Sequence, residues 1–363
     1  KNALSFDMGG TTAKICLIDD GLAQTSRGFE VARAYRHRRG SGLPIRIPVV
    51  EMVEIARAEG PPVAEQTPEF ARDMYQAMAH ILGAGPDLPG GVSESEIPGP
   101  DGPISIRIYR PLGEGPHPAL IFYHGGGFVI GDLETHDKEC RLLSSKANCI
   151  VVAVDYRLAP ESPFPAAVED AWAALKWVVD QGSTIGIDTH RLAVGGDSAG
   201  GNLALVTLLK LKENNNELPG AVICMSPWAD PAATGETYNE EMCDKDPVLG
   251  PTFKKVFQKY GLDAYLTYYV KDEDMDSENP YICPIKGDFA GSPPIMIHVG
   301  KDELLLSDSR NLIAAFERDG VTYEYKEWEE LWHVFQMESY MPESRKSFEL
   351  FSEFLNKHIS EKV

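Results

Sequence analysis

The chain has no run of eighteen apolar residues, the least that reads as a membrane-spanning helix, and its amino end lacks a charged segment followed by an apolar one. Neither a membrane span nor an export signal is expected. Positive charge is scarce: 34 Lys and Arg stand against 55 Asp and Glu, a formal net charge of -21. A surface of that sign repels phosphate backbones and anionic headgroups, which excludes nucleic acid and membranes as partners and leaves small neutral or cationic molecules. The six cysteines (Cys16, Cys140, Cys149, Cys224, Cys243, Cys283) show no CxxC spacing, so neither a metal cluster nor a disulfide framework is expected. Reduced thiols in a cytoplasmic protein, with no metal and no cofactor, are the expectation. The one basic stretch, "RGFEVARAYRHRRGSGLPIR", reads as a solvated strand-and-loop face and receives no function.

The opening stretch "ALSFDMGGTTAKICLIDDG" has the form of apolar strands joined by a glycine turn with paired threonines and closed by an Asp-Asp-Gly turn, a β-hairpin-rich segment with a possible phosphate cradle. Residues 1–50 form an extension that ends at "GSGLPIRIPVV", after which Met52, Ile55 and Ala56 adopt helical spacing. "TPEFARDMYQAMAHILGAG" then carries Thr67 as an N-cap, Pro68 at the first helical position and glycine after the last turn, a helix by every local signal. From "ISIRIYRP" onward, β-branched runs such as "ALIFYHGGG", "CIVVAVDYR", "AVICMSP" and "PPIMIHVGKDE" alternate with amphipathic helices. That alternation predicts an α/β fold with a mostly parallel central sheet covered by helices, and residues 231–280 read as an insertion between two strands.

"GGDSAGG" sets Ser198 in a G-x-S-x-G pattern between the strand "RLAV" and the helix "NLALVTLLKL", the context in which small residues permit a sharp turn with a serine at its tip. A serine hydroxyl needs a base. His124 lies in a glycine motif, His298 is mid-strand and His358 is near the end of the terminal helix; His333, in "LWHVFQ" beyond the last readable strand, is the candidate. The orienting acid belongs at the carboxyl end of a strand between the two, and Asp302, which closes "IMIHVGKDE", fits, with Asp308 as a rival expected one or two turns into the next helix and facing solvent. "HGGG", His124 to Gly127, follows a strand and carries no P-loop lysine or serine. Its backbone N–H groups, with that of Ala199 after the nucleophile, suit a developing oxyanion.

In "YHGGGFVIGDLETHD", "VVAVDYRLAPESPFPAAVEDAWAALKWV", "GGDSAGGNLA", "SPWAD", "VGKDELLLSD" and "WHVF", the chain from about residue 55 onward resembles the bacterial hormone-sensitive-lipase-like esterases. The resemblance implies an α/β-hydrolase catalytic domain over residues 91–363 and a helical cap from residues 51–90 with part of 231–280. It also implies a Ser198–Asp302–His333 triad, and an oxyanion hole from Gly125, Gly126 and Ala199. Gly127, Asp197 and Trp228 fall in the expected substrate-binding set. Glu303 and Leu304 stand where many relatives carry Pro-Leu, a departure not expected to disturb the acid. The implied reaction is hydrolysis of small carboxylic esters through an acyl-enzyme, with amide or thioester hydrolysis as the alternative on the same residues. Residues 1–50 resemble a fragment of the hydantoinase A and oxoprolinase family, whose ATP-binding fold needs further loops than "DMGGTT"; the fragment is expected to be structural, packing on the cap or pairing with a second subunit as a homodimer.

Overall fold

A computed structural model describes residues 17–19, 22–24, 67–82, 85–251, 253, 266–271 and 276–360. The chain divides into two units, Lys1–Gln66 and Thr67–Val363. In the first, β1 (Leu17–Asp19) pairs antiparallel with β2 (Leu22–Gln24), Asp19 opposite Leu22. The "DMGGTT" turn, the basic stretch, Cys16 and the helical spacing that begins at Met52 lie outside the described residues.

The second unit is built on eight strands in the order β10-β9-β8-β7-β5-β6-β4-β3. Their ranges are β3 (Val92–Gly99), β4 (Gly102–Tyr109), β5 (His117–Tyr123), β6 (Ile150–Asp155), β7 (Ile187–Asp197), β8 (Ala221–Met225), β9 (Ile295–Gly300) and β10 (Tyr323–Trp328). The six from β10 to β6 are parallel and β4 runs against them. The central strands read as unbroken apolar runs because helices cover both faces. Alternate residues serve opposite sides. Ile121, Val152, Val194 and Val222 join one apolar cluster, with α3 (Ala166–Gln181), α4 (Ala199–Glu213) and α6 (Leu306–Asp319). Leu120, Val151, Ala193 and Ile223 join the other, with α2 (Asp137–Ala147) and α7 (Pro342–Ile359).

The order of the sheet reverses between β5 and β7, and loops leaving the carboxyl ends of strands at such a switch point open a crevice for ligands. Four of those exits carry the candidate chemistry. β5 leads into "HGGG", β7 into Ser198, β9 into "KDE" and β10 into the loop that holds His333. β10, "YEYKEW", is one strand beyond the last that the sequence made readable, and β3, "VSESEIPG", is also additional to it.

The expected helix at Thr67 is present as α1 (Pro68–Leu82), with the Thr67 hydroxyl accepting from the Phe70 N–H at 3.3 Å. Residues 231–280 interrupt the sheet between β8 and β9 and contain α5 (Glu240–Lys245). Among the described residues, no helix is long and apolar enough to cross a membrane, and no group of three or more His, Cys, Asp or Glu side chains is placed to hold a metal ion.

Candidate active site

Ser198 sits at the junction of β7 and α4 with φ 51° and ψ -118°, a backbone conformation unfavourable for a residue with a side chain. The turn is overdetermined by its surroundings. The Ser198 N–H donates to Met225 O at 2.8 Å, and its carbonyl accepts from Trp228 N at 2.9 Å and Asn202 N at 3.1 Å. A Cβ on Gly200 would lie 1.9 Å from Tyr123 O, so the small residue there is what lets the elbow press against β5. The Ser198 hydroxyl is thereby presented at the start of a 15-residue helix, where the helix dipole and an N–H without an intrahelical acceptor favour negative charge.

His333 Nε2 lies 2.9 Å from Ser198 Oγ, and its Nδ1 lies 3.2 Å from Glu303 Oε1. Glu303 is fully buried, and its other oxygen accepts from Ser226 Oγ and Gly300 N, each at 2.8 Å. This orientation makes Nδ1 the donor and leaves Nε2 to accept the serine proton. Burial works against a charged imidazole at this position, but the hydrogen bond and charge of Glu303, supported by Asp246 and Asp197, outweigh it and hold His333 above the usual imidazole value. Ser226 ties the arrangement together: while it donates to Glu303, its Oγ accepts from Val334 N at 3.2 Å, next to the imidazole.

The acid expected from the sequence, Asp302, is therefore corrected by one position. Asp302 is half-buried and its N–H donates to Leu331 O at 2.9 Å, while the carboxylate that meets His333 belongs to Glu303. Adjacent residues leaving a strand project to different sides, so only one of two neighbouring acids can turn inward, and the longer glutamate spans the gap. The rival Asp308 is not solvent-facing either. It lies in the first turn of α6, fully buried, with Oδ2 accepting from Ala229 N and Asp230 N at 2.9 and 2.8 Å, and burial pushes its carboxyl well up.

Asp246, which no sequence signal singled out, lies behind the acid. It is buried, it accepts from Leu304 N at 3.0 Å, and burial lifts its carboxyl to about 6. The remaining histidine candidates serve packing. His298 donates or accepts at Ser347 Oγ, 2.8 Å away, and burial lowers it to about 3; His124 bonds Gly125 O at 2.8 Å and burial lowers it to about 4.

In the glycine run, the expectation for Gly125 also changes. Its N–H donates to Asp197 Oδ1 at 2.9 Å and so is not free for an oxyanion. The N–H groups of Gly126, Gly127 and Ala199 have no acceptor among the described residues, and the Gly126 carbonyl is fixed by Val129 N and Ile130 N at 3.1 and 3.0 Å. Asp197, expected among substrate-binding residues, is buried and turned under the loop instead, with His136 Nε2 3.2 Å from its Oδ1. Trp228 is buried, its ring packed on Phe128 at 5.9 Å and its backbone bracing Ser198.

Two elements flank the loop. Arg72 of α1 donates to Val129 O at 2.8 Å and Ala159 O at 3.0 Å while pairing with Glu161, and Gln76 donates to Asp132. Tyr269, from a helical turn at Leu266–Tyr269, stacks on Phe128 at 3.6 Å.

A strained serine elbow after β7, a buried carboxylate after β9 and a histidine after β10, all at the carboxyl ends of strands of a mostly parallel sheet, define an α/β hydrolase. The alpha/beta hydrolase fold family matches residues 120–337, and a separate hydantoinase/oxoprolinase family matches residues 1–67. The carboxylic ester hydrolase LipN of Mycobacterium tuberculosis (strain ATCC 25618 / H37Rv) is 37% identical over 72% of this chain and 70% of its own length. An acetyl-hydrolase of Streptomyces hygroscopicus is 34% identical over 65% and 74%. Among solved structures, the hyperthermophilic esterase from Pyrobaculum calidifontis superposes with a TM-score of 0.76 at 29% identity, covering 88% of this chain and all of that one. An esterase of the bacterial hormone-sensitive lipase family superposes with a TM-score of 0.71 at 32% identity over 86% and 97%. The chain belongs to the alpha/beta hydrolase fold family, among its hormone-sensitive-lipase-like members.

Proposed function

We propose that the protein is a serine carboxylesterase acting on small carboxylic esters, with Ser198 as nucleophile, His333 as general base and acid, and Glu303 as the acid that orients and charges the imidazole. The reading rests on one observation, the unbroken series Ser198 Oγ, His333 Nε2, His333 Nδ1, Glu303 Oε1 at 2.9 and 3.2 Å. Ser198 Oγ attacks the ester carbonyl as its proton passes to His333 Nε2, and the carbonyl π pair moves onto oxygen. The N–H groups of Gly126, Gly127 and Ala199 hold that oxyanion, each donor contributing about 3 kcal/mol in the transition state. Collapse expels the alkoxide, which takes the proton from His333. Water then repeats the sequence on the acyl-enzyme, with His333 as base. The helix α1 and the segment 266–271 form the cap that walls the acyl side.

Turnover of p-nitrophenyl acetate and butyrate, abolished in Ser198→Ala, is the expected result, with an organophosphonate labelling Ser198 in the parent protein. A chain-length series beside an amide and a thioester fixes the acyl preference. Ester turnover that survives Ser198→Ala would overturn the reading.

A further inference from the structure

We propose that Asp197, clasped by His136, is the positioning residue that docks the glycine loop onto the serine elbow and so aims the Gly126 and Gly127 N–H groups at the reacting carbonyl. The inference rests on the esterase reading and adds to it a device outside the triad.

The loop after β5 and the elbow after β7 are neighbours only in space, and something must fix their separation to a few tenths of an ångström for oxyanion donors to work. Asp197, the residue before Ser198, supplies a direct bond across that gap, from Gly125 N to its Oδ1 at 2.9 Å. The approach is close enough that a Cβ on Gly125 would lie 2.1 Å from Asp197 Oδ2. Any side chain there would force the loop off the carboxylate.

A buried negative charge beside a forming oxyanion would oppose it, so the carboxylate needs a cation of its own. The proton inventory around His136 provides one. The Thr135 hydroxyl donates its proton to Asp132 O at 2.9 Å and accepts from Asp132 N at 2.9 Å. Its contact with His136 Nδ1, also at 2.9 Å, therefore requires the ring to donate. On the other side, Nε2 faces both oxygens of Asp197 at 3.2 and 3.3 Å and must donate again. With a proton on each nitrogen the ring is an imidazolium. The 3.4 Å approach of Gly125 N to Nε2 is then no hydrogen bond, and the Gly125 N–H belongs to Asp197. Both partners are at least nine-tenths buried, and the pair is neutral as a unit: it holds the loop without adding net charge beneath the oxyanion.

The test compares an ester with its thiono analogue, in which C=S replaces C=O, because backbone N–H donors stabilise developing negative charge on oxygen far better than on sulfur. Asp197→Ala is expected to lower kcat by ~10–100-fold with little change in KM and to reduce the oxygen-to-thiono rate ratio by about tenfold, the signature of misplaced donors. Asp197→Asn, whose amide oxygen still accepts from Gly125, is expected to recover most of that ratio. The acid limb of the pH–rate profile, set by His333, moves to lower pH in both, because the Asp197 charge is one of those that hold the imidazole up, so the rate ratios are compared on the plateau above it. Should Asp197→Ala not fold, Asp197→Ser takes its place, since a hydroxyl stops short of Gly125. A parental ratio in the folded Ala or Ser variant overturns the proposal. Absence of Ser198-dependent ester turnover in the parent protein would instead remove the esterase reading itself.

Discussion

Asp302 and Glu303 carry the same charge one residue apart, and what separates them is direction. Glu303 is sealed in with both oxygens engaged, by His333 on one side and by Ser226 and Gly300 on the other, while Asp302 keeps its carboxylate half in solvent. Because Glu303 and the acids behind it hold His333 above the usual imidazole value, kcat/KM is expected to fall as pH drops through that raised value and the base becomes protonated. Glu303→Gln is expected to cost about 10³-fold in kcat and to move the limb to lower pH, because the charge that favours the imidazolium is gone. Asp302→Asn should leave kcat within about threefold and the limb in place. A pH–rate series on the two variants reads both outcomes, and a collapse in Asp302→Asn with an active Glu303→Gln would restore the aspartate. The serine and the histidine were legible because each comes with a local signature or an order along the chain. The acid was legible only as a strand exit, since no pattern in "KDE" says which neighbour turns inward.

At the scale of elements, the helix α1 acts as a strap. Its Arg72 spans Val129 O, Ala159 O and Glu161, so a single side chain joins the helix to the segment after the glycine loop and to the loop after β6. Arg72→Met keeps the aliphatic stem and removes those bonds. The expected loss is ~1–3 kcal/mol of stability, read as a lower urea midpoint at unchanged slope, with a raised KM for esters as the wall loosens. An unchanged midpoint and KM would show that α1 is held by its apolar contacts alone. The same scale explains which strands the sequence made visible. β5, β6, β8 and β9 are buried along nearly their whole length and appear as apolar runs. β10 and β3 close the two ends of the sheet, where much of each strand meets water, and "YEYKEW" and "VSESEIPG" look like loops until they are paired. His333 follows β10 in chain order, so a position beyond the sheet is legible from order alone, although "YEYKEW" does not read as a strand.

For the whole molecule, three independent boundaries fall together. The hydantoinase/oxoprolinase match ends at residue 67, the first unit ends at Gln66, and the N-cap of α1 is Thr67. Among the described residues, both apolar clusters, on the two faces of the sheet, draw their members from Leu88 onward, and Ser198, Glu303, His333, Asp197 and His136 all lie within the second unit. A sheet covered on both faces has the ingredients of independent folding, whereas a short hairpin segment buries too little to fold unaided. Removal of residues 1–66 is therefore expected to leave a chain that unfolds cooperatively and turns over p-nitrophenyl butyrate with a kcat within about threefold of the full chain. Light scattering on the two chains then isolates what the extension does. A smaller oligomer after removal would assign it to subunit pairing, while loss of cooperative unfolding would mean that the first unit completes the core of the second.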